Sequence, residues 1–283
     1  MADLSYRASL VIYSLVVSLA VVTAPQFAHA QQADPHTVRT TKFTIKDVDE
    51  STSFYRDLIG MTEIDRFEAD SGLIEPFMAF TDDGKRIGLL RFDDYEDIQK
   101  SKHPVSVVVV PSLDNIIRRF NEANYPITTY TGAVSAGFGA SEAGGVNTAI
   151  VHDPSGNGIE LIETGGRATV AGARLIVSDR KEAEDFFVRI FDVTPGERMQ
   201  TGTYDEVVLD FGDGMFVALF EPNDEPPLPK SEHPAVAIYS TESDEVLERM
   251  KAEGLEIQEF GGFIFLAKDP SGNVLEIVRQ RTP

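Results

Sequence analysis

Apolar and polar residues alternate along four stretches beginning near Thr40, Val105, Gly172 and Ala235. After each comes an acidic segment and then apolar residues at helical spacing. Leu113, Ile116, Ile117 and Phe120 fall at i, i+3, i+4 and i+7, as do Ala183, Phe186, Phe187 and Ile190. Phe54, Tyr55 and Leu58, and Val246, Leu247 and Met250, supply the other two helical stripes. Asp47 with Glu50 and Asp179 with Glu182 resemble capping boxes at helix starts. Short strands follow each helix, split by the turns Asp82-Asp83-Gly84, Asp153-Pro154-Ser155-Gly156, Gly212-Asp213-Gly214 and Asp269-Pro270-Ser271-Gly272. Each unit therefore reads as βαβββ.

The units are copies of one another. The run Asp153 to Leu161 returns as Asp269 to Ile277, and the four strand starts are spaced by 65, 67 and 63 residues. A single unit of about 60 residues leaves one sheet face uncovered by its helix, so units must pair to bury enough surface. The expected fold is α+β: four βαβββ units paired into two domains, residues 37–165 and 169–281. Between the second helix and its closing turn, the first half is 14 residues longer than the second. The extra segment, Thr131 to about Gly144, is rich in Gly, Ala and Ser and reads either as a lid with Phe138 at its tip or as a surface loop.

Composition narrows the partners. Hydrophobic residues make up 42% and charged residues 25%, which suits a folded protein with substantial cores. A net charge of −21 repels nucleic acid and anionic lipid. With no cysteine, disulfides, thiolate metal sites and thiol nucleophiles are excluded. An apolar run from Ala8 to Ala24, preceded by Arg7 and followed by Ala28-His29-Ala30, reads as a signal peptide over residues 1–30; a single membrane anchor is the alternative. The expected product is a periplasmic or secreted protein, off the membrane after cleavage, that acts as a monomer or homodimer on a small molecule.

The helix-start Asp leading to Phe54-Tyr55, the repeated strand–helix unit and the closing Asp-Pro-Ser-Gly-Asn-x-x-Glu strand resemble the vicinal oxygen chelate superfamily, which includes glyoxalase I, extradiol dioxygenases and bleomycin-resistance proteins. The resemblance covers about residues 37 to 281. It implies glyoxalase-like domains that curl their strands into cups. In the catalytic members it also implies a divalent metal held by the first strand of each unit, typically through His, and by the last strand, typically through Glu. Such a site polarises two neighbouring substrate oxygens and needs about three protein ligands. Lyases, dioxygenases and non-catalytic binders share the scaffold, so the resemblance leaves catalysis open.

Carried over residue by residue, the first-half positions fall on Thr40, Gly88, Val105 and Glu160, and the second-half positions on Gly172, Ala218, Ala235 and Glu276. Only the final carboxylates can ligate, and a lone carboxylate does not hold Zn, Fe or Mn usefully. No cofactor is expected. The alternative is a divalent metal (Fe, Zn, Mn or Ni) on shifted ligands, His103 with Glu160 or His233 with Glu276, because a two-residue shift keeps a strand side chain on the same face. His36 and His152 read as structural or solvated. The small residues Gly172, Ala218 and Ala235 leave the second cup either roomier, for an apolar ligand, or collapsed. Alternation aims Lys42 and Arg174 into the cups, where each either pairs with a glutamate or orients a ligand carboxylate.

Overall fold

The repeats fold as four βαβββ units. The first holds β1 (His36–Thr44), α1 (Val48–Ser53), β2 (Thr62–Glu68), β3 (Ile74–Ala79) and β4 (Arg86–Leu90). The second holds β5 (Ser106–Val110), α2 (Asp114–Glu122), β6 (Thr129–Val134), β7 (Val146–His152) and β8 (Gly158–Glu163). The third holds β9 (Thr169–Ile176), α3 (Arg180–Phe191), β10 (Pro195–Gln200), β11 (Tyr204–Leu209) and β12 (Phe216–Pro222). The fourth holds β13 (Pro234–Ser240), α4 (Ser243–Ala252), β14 (Gln258–Phe260), β15 (Ile264–Lys268) and β16 (Val274–Arg279). The computed structural model describes residues 34–93, 95–134 and 146–280; the expected signal segment and Phe138 lie outside them. Thr131–Val134, at the start of the expected lid, belong to β6.

Local chemistry sets the helix starts. Asp47 and Asp179 are extended, and each side chain accepts the backbone N–H three residues on, from Glu50 and Glu182, at 2.8 Å. α1 continues into a π-helical turn, Phe54–Ile59, whose wider spacing buries Phe54, Tyr55, Leu58 and Ile59 together.

The units pair differently from the sequence expectation. One eight-stranded sheet runs β14-β15-β16-β13-β1-β4-β3-β2 and joins the first unit to the fourth; the other runs β10-β11-β12-β9-β5-β8-β7-β6 and joins the second to the third. The seams are antiparallel, with Thr40 opposite Ala237 and Val107 opposite Gly172. Linker length explains the exchange. Only residues 164–168 separate β8 from β9, so the second and third units stay in one sheet, whereas the longer links 91–105 and 223–233 let the chain cross between sheets. Successive units still meet through their helices and turns. Arg119 of α2 donates to the Leu58 and Ile59 carbonyls at 2.8 and 2.9 Å, and Arg249 of α4 donates to Ile190 O of α3 at 2.8 Å.

The repeated turn stitches the same units. Asn157 Nδ2 donates to Thr44 O, and Asn273 Nδ2 to Ile176 O, both at 3.1 Å. Asp153 and Asp269 are buried and accept the backbone N–H of Asn157 and Asn273 at 2.8 Å; burial raises both carboxyl pKa values against those hydrogen bonds. Gly156 and Gly272 each sit at φ 84, where a side chain would be strained. These motifs are structural.

Each sheet has two unlike faces. Val38, Phe43, Ile87, Met78, Ile238 and Ile277 are among those that turn one face of the first sheet to the common apolar core. The opposite face carries charge.

Candidate functional site

On the polar face of the first sheet, Lys42 of β1 is clamped between two carboxylates. Its Nζ lies 2.8 Å from Glu276 Oε2 of β16 and 2.9 Å from Glu75 Oε1 of β3. The side chains of Lys42, Glu75 and Glu276 are 4%, 6% and 12% exposed. Burial alone would depress the Lys42 pKa, but Glu276 and Glu75 outweigh it and the net shift is upward. Burial pushes the Glu75 carboxyl up, against the pull of Lys42.

The second sheet repeats the arrangement with a guanidinium. Arg174 of β9 donates from Nη2 to Glu160 Oε2 of β8 at 2.9 Å and from Nε to Glu206 Oε1 of β11 at 2.8 Å. Its Nη1 donates to Pro104 O at 3.1 Å, and the two carboxylates outweigh burial to raise its pKa. In either sheet the two carboxylates stand on strands four places apart. That is about 19 Å in a flat sheet, more than two glutamates meeting at one cation can span. Both sheets are therefore bent toward their polar faces.

Strand pairing fixes the register of the carried-over positions. Opposite Gly88, Glu160, Ala218 and Glu276 stand Lys42, Val107, Arg174 and Ala237. Thr40, Val105, Gly172 and Ala235 lie two residues earlier in sequence, one level along the same face. A period-two pattern cannot distinguish these levels. Because the units are exchanged, Thr40, Lys42, Gly88, Ala235 and Glu276 belong to the first sheet, and Val105, Glu160, Gly172, Arg174 and Ala218 to the second or its approach. The pairing reading of Lys42 and Arg174 is the one the geometry displays.

The two glycines among the carried-over positions leave no room for a side chain of their own. A Cβ added at Gly172 would sit 2.1 Å from the Phe216 ring, and one at Gly88 would sit 2.3 Å from Glu75 Oε1. The expected extra space in the second sheet is filled by Phe216 at Gly172. A cavity of about 140 Å³ bordered by Lys42, Val105, Arg174, His233 and Ala235 lies where the linkers 98–101 and 228–231 meet. It is smaller than ordinary organic-ligand sites.

Glu75, Glu206, Arg86, Tyr239 and Phe216 went unrecognised in the sequence. A signal for the glutamates existed: each is an acidic residue inside an apolar strand, 33 residues after Lys42 and 32 after Arg174.

The shifted-ligand metal sets are not assembled. His103 Nε2 meets Asp224 Oδ1 at 2.9 Å, and His233 stacks on Phe92 with ring centroids 3.7 Å apart. Glu160 and Glu276 are engaged with Arg174 and Lys42. Among the described residues no three His, Asp or Glu side chains group to hold a metal ion, so this donor set does not fit the metal of the catalytic members. His36 Nδ1 meets Ser240 Oγ at 2.9 Å and His152 Nδ1 meets Thr128 Oγ1 at 2.8 Å, as structural residues do.

The family model of the Glyoxalase/Bleomycin resistance protein/Dioxygenase superfamily matches residues 35–161 and 169–277. The chain belongs to this superfamily. Among solved structures, glyoxalase I from Zea mays superposes on this superfamily member with a TM-score of 0.69 at 16% identity, covering 86% of this chain and 92% of that one. A putative dioxygenase from Bacillus subtilis gives 0.62 at 14% identity, covering 87% and 86%. At these identities the likeness is one of fold. No curated protein matches the chain at a significant level. No helix among the described residues of this glyoxalase-like chain is long and apolar enough to cross a membrane.

Proposed function

We propose that this superfamily member is an exported protein that binds a small organic molecule in a cup formed by a bent, polar sheet face, without a divalent metal. The observation that carries the reading is the clamped cation. Where the resemblance implies an ion between first-strand and last-strand ligands, Lys42 Nζ or the Arg174 guanidinium already stands between the carboxylates at 2.8 to 2.9 Å. A divalent ion would have to displace a buried charge that is fully paired. Export rests on the N-terminal apolar run and its small-residue end, and a mature protein beginning near Gln31 is the expected product. One chain completes both sheets, so a monomer suffices.

Elemental analysis of the exported protein after Fe, Zn, Mn or Ni supplementation tests the reading. Far less than one metal per chain is expected. Stoichiometric metal that disappears in Glu160→Gln or Glu276→Gln overturns it.

A further inference from the structure

We propose that the first sheet carries the ligand site and that it takes a small monocarboxylate with a flat apolar body, anchored by Arg86. This rests on the cup reading above and specifies its ligand. Arg86 lies on the polar face one level from Lys42, opposite Thr40. Its Nε donates to Thr40 Oγ1 at 3.2 Å, its Nη2 donates to Tyr239 OH at 2.9 Å, and its guanidinium lies 4.1 Å from the centroid of the Phe77 ring. Those partners are neutral. Among the described residues no carboxylate lies within ion-pair distance of Arg86, although Glu75 feels its charge through space, and the hydrogen bonds of Arg86 to described residues use Nε and Nη2. A half-buried guanidinium oriented by two hydroxyls and a ring keeps donors for a planar carboxylate.

The Phe77 ring beside Arg86 supplies an apolar surface, and the same face carries exposed rings at the sheet's two edges. Phe67 pairs with Glu75, and Phe260 pairs with Ile264, which pairs with Val278, so both rings project on the polar face. Each is 51% exposed. Together with Ile64 and Phe263, they are the exposed large hydrophobic residues among those described. The second sheet lacks the anchor. At the places of Arg86, Thr40, Phe77 and Tyr239 it has Phe216, Gly172, Val208 and Val109. One guanidinium matches one carboxylate, whereas a phosphate dianion would add charge beside Glu75 and Glu276.

Isothermal titration of the mature protein with phenylacetate and with neutral phenylacetamide, in EDTA and again after metal loading, tests this. Phenylacetate is expected to bind in EDTA about tenfold or more tightly than the amide, and Arg86→Met is expected to lose about tenfold in affinity. Arg86→Lys, which keeps the charge without the fork, is expected between the two and guards against a misfolded Met variant. Equal binding of acid and amide, unchanged phenylacetate affinity in Arg86→Met, or no binding of phenylacetate overturns the anchor. Of these, binding in EDTA that ignores Arg86 leaves the metal-free cup standing. Binding that appears only with metal and vanishes in Glu276→Gln sinks the metal-free reading as well.

Discussion

The two polar faces share a floor and differ one level away. Each places a first-strand cation between a glutamate from its own unit and one from the partner unit. Beside that floor, the first sheet has Arg86, Thr40, Tyr239 and Phe77, and the second has Phe216 on Gly172. The common part answers a structural need, since carboxylates from two units meet on a concave surface and need a counter-charge. The part that differs is free to serve binding.

The largest expected effect tests the common floor. Lys42→Met leaves Glu75 and Glu276 buried without their cation, and Arg174→Met does the same to Glu206 and Glu160. Each should cost about 3–5 kcal/mol in urea unfolding, with Arg174→Met also losing the bond to Pro104 O. Similar losses in both sheets are expected; a negligible loss in either would break the equivalence.

A smaller effect tests the difference. Gly172→Ala drives a methyl into the Phe216 ring, where its Cβ would lie 2.1 Å away, and should cost about 1–3 kcal/mol. Trimming the ring with Phe216→Leu should recover part of that loss. At Gly88 the obstacle is the end of a flexible side chain, Glu75 Oε1, so Gly88→Ala should act mainly by loosening Glu75 from Lys42.

The smallest effect concerns Glu75. Its folded pKa is raised by burial, so its contribution to stability is fully present below the ordinary carboxylate pKa and is lost as pH rises through the raised value. Glu75→Gln removes that titration. The variant should therefore gain stability relative to the native chain as pH rises through this window, by on the order of 1 kcal/mol in thermal or urea unfolding. A relative loss over the same interval would reverse the assignment.

Much of the fold was legible because its determinants are local. Helix stripes, Asp caps and the Asp-Pro-Ser-Gly turn lie within a few residues of one another, and the repeat made each unit a check on the others. The pairing of units was not legible. It depends on contacts such as Thr40 with Ala237, nearly two hundred residues apart, and on whether five linker residues or more than ten separate two strands. Within the candidate site, alternation aimed Lys42 and Arg174 correctly but could not choose between levels on one face. Glu75 and Glu206 escaped because the carried-over positions concern first and last strands, whereas these glutamates stand on interior ones.

The exchanged sheets bear on how such a chain can be divided and how it can diverge. Either half alone would hold two incomplete sheets, with the pairing edges of β1 and β5, or of β9 and β13, left bare. A second identical half would be the natural cover, and the result would be a two-fold dimer whose two faces are necessarily the same. Joining two halves in one polypeptide lifts that constraint: an arginine can be kept on one face while a phenylalanine takes the matching place on the other, and neither change has to be tolerated twice.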